Sequence, residues 1–248
     1  GAIGGDSVIN DTGTAYVFVR PSGGWGDMTE TAKLSASDGA YGDNFGADVS
    51  VWGDTIVVGA HNDDGHRGSA YVFERGAGWV SGHANQVAKL LSSDGQAGDY
   101  FGEFLAISGD TILVGAQWDD GQRGSAYAFL KPPGGWSSTT SPFYEDAKLR
   151  AYDGQSGDLF GEIAIHDGTA FVGAVYDDDR GSHAGSAFVF NGLSDCNANG
   201  VLDICEFTSD PSADGNNDGV LDECENAPPV ADAGDDDTAD EGEDVMLD

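Results

Sequence analysis

Three short phrases return in the same order along this chain, and no other property limits its fold so strongly. DGxxGDxFG occupies residues 38–46, 94–102 and 153–161 without a mismatch. Apolar residues running into Gly-Ala close at Gly59-Ala60, Gly115-Ala116 and Gly173-Ala174. GSAYVF at residues 68–73 then recurs as GSAYAF at 124–129 and GSAFVF at 185–190, with an earlier copy, GTAYVF, at 13–18. Three phrases repeating in register mark an architecture whose units bury their apolar faces against one another.

Each unit reads as four short strands. Residues 47–52 include an alternating stretch, and Gly53-Asp54 makes a tight turn. Thr55–Ala60 is apolar nearly throughout, which predicts burial on both faces. A polar loop over 61–68 leads to the β-branched and aromatic strand Ser69–Glu74, and a fourth strand includes 87–90. No stretch of ten or more residues shows a period of 3.6, and glycine punctuates every segment. About 57 residues in four antiparallel strands is the size of one propeller blade. The expected fold class is therefore all-β, a partial β-propeller of four-stranded antiparallel blades.

Gly1-Ala2 aligns with Gly59-Ala60, so residues 3–34 supply the last two strands of one blade. Residues 35–91 and 92–150 supply two whole blades, and 151–191 supply three strands of another. That is about three and a half blades over 1–191, fewer than the four to eight of a closed ring. We read these residues as the C-terminal part of a larger propeller, for which seven blades is one fitting size. The missing N-terminal part would also account for the lack of a visible signal peptide.

Phe45-Gly46, Phe101-Gly102 and Phe160-Gly161, each followed by its Gly-Ala pair, resemble FG-GAP repeats. Such repeats build the propeller heads of integrin alpha subunits and many bacterial surface proteins. The resemblance implies an extracellular or cell-surface protein with a non-catalytic adhesion or recognition role. One departure matters. Calcium-binding blades of the integrin type carry a DxDxDG-like loop between the FG and GAP strands, whereas residues 52–54, 108–110 and 166–168 form only hairpin turns. Blade-bound calcium is not implied.

Charge divides the chain. The formal net charge is −34, yet no Lys or Arg follows Arg180, and all three cysteines lie beyond that point. A boundary near Gly192 follows. Nucleic acid and anionic membrane surfaces would repel such a chain, and no run approaches the roughly 18 apolar residues of a membrane helix. The aromatic content argues against disorder over most of the length.

Residues 192–226 form a C-terminal calcium-binding loop module in this reading. DCNANGVLDICE (195–206) and DGNNDGVLDECE (214–225) both place oxygen-bearing residues at positions 1, 3, 5, 9 and 12 and glycine at 6, the pattern of a calcium loop. The first ligand set would be Asp195, Asn197, Asn199, the Val201 carbonyl, Asp203 through water, and Glu206. The second would be Asp214, Asn216, Asp218, the Val220 carbonyl, Asp222 and Glu225. Only residues 207–213 separate the loops; a paired EF-hand would need helices there, and Pro211 disfavours one. The spacing and the cysteines look more like thrombospondin type 3 or related bacterial calcium repeats, in which metal largely replaces a hydrophobic core. Helical dockerin modules share the loop chemistry but match this spacing less well. Val201, Leu202, Val220 and Leu221 would be the few apolar anchors.

Cys196, Cys205 and Cys224 allow one disulfide and one leftover thiol; no CxxC or histidine among them suggests zinc, and an oxidising exterior is expected. Residues 227–248 (APPVADAGDDDTADEGEDVMLD) look like the opening of a PKD or related Ig-like domain, the alternative being an acidic tail.

The five histidines form no HExxH pair, and no GxSxG, P-loop or Rossmann fingerprint occurs. Asp63-Asp64, Asp119-Asp120 and Asp177–Asp179 recur at equivalent loop positions, which points to a structural turn or weak ion binding rather than catalysis. Asp43, Asp99 and Asp158 are expected to tie blade to blade through backbone hydrogen bonds. Trp25, Trp79 and Trp136 are expected to pack. The expected function is calcium binding with adhesion or recognition of a protein or glycan ligand. The alternatives are an accessory region of a secreted hydrolase or lyase, and a structural spacer.

Overall fold

A computed structural model describes residues 1–2, 12–75, 83–137, 141–215, 221, 222 and 224. The first blade contributes β1 (Ala15–Val17) and β2 (Ala32–Leu34). The second contains β3 (Val49–Trp52), β4 (Thr55–Ala60) and β5 (Ser69–Glu74), then β7 (Ala88–Leu91) after the short β6 (His83–Ala84). The third contains β8 (Phe104–Ser108), β9 (Thr111–Ala116), β10 (Ser125–Leu130) and, after β11 (Phe143–Tyr144), β12 (Ala147–Leu149). The fourth has β13 (Phe160–His166), β14 (Thr169–Ala174) and β15 (Ser186–Phe190). The two whole blades are antiparallel in the orders β7-β5-β4-β3 and β12-β10-β9-β8, and the fourth is β13-β14-β15.

The expected four-strand blades are present, with one addition. Between its third and fourth strands the chain crosses to the preceding blade. There β6 pairs parallel with β2, and β11 pairs parallel with β7. These two-residue pieces lack the length and alternation that betray a strand in sequence, so only the tertiary structure reveals the lacing.

Both faces of the central strands of the second and third blades are covered because each has a neighbour on either side, whereas Phe171 of β14 in the fourth blade is 50 % exposed. Along β4 and β5, Val57, Ala70 and Val72 enter the core toward the third blade, while Val58, Tyr71 and Phe73 enter the core toward the first. A third core, with Leu113, Ala126 and Val172, lies between the third and fourth blades. The phenylalanine of each FG pair sits in one of these cores. Phe45 and Phe101 meet the Tyr and Phe of the following GSAYxF strand at centroid distances of 5.4–6.0 Å. Phe160 meets Phe188 and Phe190 at 5.5 and 6.0 Å. Each ring, at most 1 % exposed, contributes about 2–3 kcal/mol by leaving water.

The glycines of the phrases permit backbone to touch backbone between blades. Gly68 has φ +85°, and a Cβ there would strike the Phe101 carbonyl oxygen; Gly124 (φ +83°) has the same relation to Phe160. Left-handed backbone and the absent side chain both select glycine. The Phe101 amide meanwhile donates to the Arg67 carbonyl at 3.0 Å, and Phe160 to Arg123 at 2.9 Å.

Beyond Gly192 the chain turns onto the last blades. Leu193 and Leu202, both 0 % exposed, join the core between the third and fourth blades, with Ile204 and Cys205 against them. The Leu193 amide donates to Gly168, and Thr111 Oγ1 donates to the Leu193 carbonyl at 2.6 Å. A helix spans Asp203–Ser209, followed by a 3-10 turn at Pro211–Ala213, where an unhelical connection was expected. Pro211 does not oppose it, because the helix ends first. Proline then opens the next turn, where its missing N–H costs nothing, and the Asp210 carboxylate caps the Ser212 amide at 3.1 Å.

Candidate functional site

Two constellations come together, one in the loop module and one repeated in the blades. In the first loop the Asp195 carboxylate accepts from the backbone amides of Asn199 (3.0 Å) and Gly200 (2.8 Å). The Asn197 side-chain oxygen accepts from the Asn199 amide, and the Asn199 side-chain oxygen from Val201. These Asx-type bonds wind the chain around its own side-chain oxygens. Glu206 closes the ring, its carboxylate accepting from the Asn199 side-chain amide at 2.7 Å and from that of Asn197 at 3.3–3.4 Å. Position 1 and position 12 thus meet on Asn199.

Asp203 makes contacts of another kind. It is 2 % exposed, and its two oxygens accept from the Cys196 amide (3.0 Å) and the Ser194 hydroxyl (2.8 Å). Burial, with Asp195 and Glu206 nearby, raises its pKa despite those two bonds. The second loop copies this closure: the Gly215 amide donates to Asp222 at 3.0 Å. The position-9 amides also match, Asp203 donating to Ser194 and Asp222 to Ala213. Asp214 is buried, as are Leu202 and Leu221, whereas Val201 is 43 % exposed and anchors nothing. Asn216, Asp218, Val220 and Glu225 lie outside the described residues, as do Trp79 and residues 227–248. The Cys196–Cys224 disulfide joins the loops across 28 residues and leaves Cys205 as the free thiol.

The donor set of the first loop is made of hard oxygens, as calcium requires. Among the described residues no three His, Cys, Asp or Glu side chains form a metal-holding group. The loop offers two such carboxylates, Asp195 and Glu206, and the rest of its donors are amide and backbone oxygens.

The blade constellation was not foreseen as a unit. Asp63, 8 % exposed, accepts from Ser69 Oγ (2.5 Å), Tyr71 Oη (3.1 Å) and Lys89 Nζ (2.6 Å). Lys89 and Tyr71 both reach Asp38 as well, at 2.6 and 3.0 Å. The next blade repeats each contact with Asp119, Ser125, Tyr127, Lys148 and Asp94. Burial alone would raise Asp63, but donors from Lys89, Ser69 and Tyr71 hold it below the usual carboxylate range. Burial would likewise lower Lys89, but its bonds to Asp38 and Asp63 keep it above the usual lysine range. Tyr71 and Tyr127 are raised by burial and the adjacent carboxylates, so they remain neutral donors. The arrangement binds loop, third strand and fourth strand together. The signal in sequence was the first Asp of a DGxxGDxFG phrase followed by the Lys of the next AKL, Asp38 with Lys89 and Asp94 with Lys148.

Two expectations need correction. The side chains of Asp43, Asp99 and Asp158 close local turns by accepting, at 2.6 Å, from Ala40, Gln96 and Gln155. Their reach is three residues rather than one blade; the longer tie comes from backbone carbonyls, with Asn62 donating to Asp43 and Tyr176 to Asp158. Trp136 packs as expected, 1 % exposed with its ring 5.4 Å from Phe143, but Trp25 is 64 % exposed. A cleft of about 660 Å³ beside the second blade's cluster is lined by Asp43, Asp63, Arg67, Lys89 and Tyr144, among others.

Comparison with known protein families agrees with the geometry. The FG-GAP repeat matches at residues 28–73, 84–129 and 143–190, more than half of the chain. Each match begins before the FG pair and ends at the close of the GSAYxF strand, so the sequence unit straddles two blades. This protein belongs to the FG-GAP repeat family. A search of curated proteins returned no match. Among the described residues no helix is long and apolar enough to cross a membrane.

Proposed function

We propose that this chain is a calcium-binding extracellular or cell-surface protein whose propeller serves non-catalytic adhesion or recognition of a protein or glycan ligand. FG-GAP repeats suggest the propeller's role, and such domains are generally non-catalytic and typical of cell-surface proteins. The calcium reading is carried by one observation: Asp195 and Glu206, eleven residues apart, converge on Asn199 inside a loop wound by its own oxygens. Calcium would draw on Asp195, Asn197, Asn199, the Val201 carbonyl and Glu206, with Asp203 holding the loop closed. By the same pattern the second loop would use Asp214, Asn216, Asp218, the Val220 carbonyl and Glu225, with Asp222 in the closing position. Bound calcium would offset part of the negative charge that otherwise opposes folding of these loops.

Titration calorimetry with millimolar calcium tests this. The expected result is about two sites in residues 192–226, with affinities in the 10⁻⁴–10⁻³ M range of extracellular modules. Glu206→Ala and Glu225→Ala should each remove one. Absence of calcium-dependent heat would overturn the assignment. A glycan and protein-ligand array, read with and without EDTA, would show whether the propeller recognises a partner and whether calcium matters to it.

A further inference from the structure

The first hairpin turn of the fourth blade inverts the sequence of its sisters. The second and third blades join their first two strands through Gly53-Asp54 and Gly109-Asp110, whereas the fourth uses Asp167-Gly168. Asp167 and Gly168 both have positive φ, +44° and +72°; in the sister turns only the leading glycines do, at +54° and +59°. The inversion removes the side chain from the second turn position. There the loop module meets the propeller. A Cβ on Gly168 would lie 2.7 Å from Ser194 Oγ, 3.0 Å from Ser194 Cβ and 3.3 Å from the Ser194 nitrogen. An aspartate, as at positions 54 and 110, would push Ser194 away.

Ser194 leads directly into the first loop. Its hydroxyl donates to the Asp203 carboxylate and its carbonyl accepts from the Asp203 amide, both at 2.8 Å. The same carboxylate accepts from the Cys196 amide at 3.0 Å, so Asp195, position 1 of the loop, is held from both sides. Leu193 and Leu202 enter one apolar core between the third and fourth blades. Leu193 roots the segment that carries Asp195. Leu202 roots the helix that carries Glu206, position 12, because it stands at that helix's N-cap. The blades add three bonds of their own. The Leu193 amide donates to the Gly168 carbonyl at 2.9 Å, and Thr111 Oγ1 donates to the Leu193 carbonyl at 2.6 Å. The Asp167 amide donates to Ser108 Oγ at 3.2 Å, which ties the turns of the two blades together.

We propose, resting on the calcium reading of the first loop, that Gly168 and Thr111 are positioning residues for that site. Through them the propeller fixes the separation of Asp195 and Glu206, and calcium binding is coupled to the packing of the third and fourth blades. A loop held in its binding shape loses less conformational freedom when it closes on an ion. Coupling of this kind is reciprocal. Whatever factor the seat adds to calcium affinity, calcium adds to the stability of the seat. The inverted turn is the sequence mark of the blade that receives the module.

The test uses the whole chain carrying Glu225→Ala, so that the first loop alone is offered to calcium, and reads affinity by titration calorimetry. Gly168→Asp should weaken calcium by about tenfold or more. Thr111→Val keeps the shape of the side chain but removes its hydroxyl, and should weaken calcium by about threefold or more. Amide exchange over β14 (residues 169–174) should slow when calcium is added, and adding Glu206→Ala should abolish the slowing. If Gly168→Asp prevents folding, as judged by circular dichroism, Thr111→Val and the exchange of the unsubstituted blade decide. Calcium heat with unchanged affinity in the variants, and β14 exchange indifferent to calcium, would overturn the coupling while leaving the calcium site standing. No calcium heat before either substitution would overturn the calcium reading itself, and the coupling with it.

Discussion

Lys89 Nζ lies 2.6 Å from Asp63 Oδ2 and 2.6 Å from Asp38 Oδ2, so one ammonium joins a turn inside the blade to the loop that enters it. The lysine stands on the last strand of the blade, and Asp38 precedes the first. Closing that gap fastens the ends of each repeat unit to each other.

Lys89→Met should therefore cost more than a surface charge would. It leaves two carboxylates facing each other, one largely buried. The expected loss is about 3 kcal/mol, the lower end for breaking a buried pair, because the Lys89 side chain keeps 20 % of its surface exposed. Urea unfolding at pH 7 checks this; a change under about 0.5 kcal/mol would show that the cluster contributes no more than an exposed pair.

The same cluster sets a pH dependence. Asp63 and Asp94 are held below the usual carboxylate range, against burial, largely by their lysines. Their contribution is full above the unfolded value of about 3.9 and is lost as pH falls through the lower folded values. Lys89 is raised, so its contribution is full below about 10.4 and is lost as pH climbs through the folded value. Asp43 and Asp99, raised chiefly by burial, act in the opposite sense by favouring the folded state as they protonate. Denaturation midpoints from pH 7 to 2 should thus fall less steeply below pH 4 in Asp63→Asn than in the parent. Parallel curves would mean that Asp63 titrates alike in both states.

Phe101 and Trp25 make a paired test of packing. Phe101 is 0 % exposed between the second and third blades, so Phe101→Ala should destabilise by about 3–5 kcal/mol. Trp25 is 64 % exposed, and Trp25→Ala should move stability by less than about 0.5 kcal/mol. Thermal or urea unfolding of the two variants reads both.

Disulfide mapping should identify Cys196–Cys224 as the bridge, with Cys205 the residue alkylated without reduction. In a chain-entropy account, cross-linking a loop of this length contributes about 3–4 kcal/mol. Cys224→Ser should therefore loosen residues 192–215 more than the blades, measured as faster amide exchange confined to that segment. A bridge to Cys205 found by mass spectrometry would contradict the arrangement.

Much of the fold was legible because repetition multiplies weak signals. One apolar run such as Thr55–Ala60 is ambiguous, but three in register with FG and GSA phrases leave a blade as the consistent reading. The twelve-residue loop pattern was legible for a similar reason, since it occurs twice. The helix Asp203–Ser209 was harder to foresee because seven residues are too short for a period to show, and its stability comes from tertiary packing. Trp25 and Trp136 share a local phrase but differ in burial: Trp136 has Phe143 from the β11 excursion against it, whereas Trp25 is 64 % exposed.

From the sequence alone came the repeat, the four short strands of a blade, the punctuating glycines and the division of charge near Gly192. All of these follow from local conformational preference and alternation, which act over a few residues. Only the tertiary structure decided that Asp38 and Asp94, the first Asp of two of the phrases, meet a lysine about fifty residues later, and that β6 and β11 cross between blades. It also decided that Leu193 and Leu202 seat the loop module in the propeller core. Those contacts depend on which surfaces the packed sheets bring together, and that is settled only when the chain has closed over long distances.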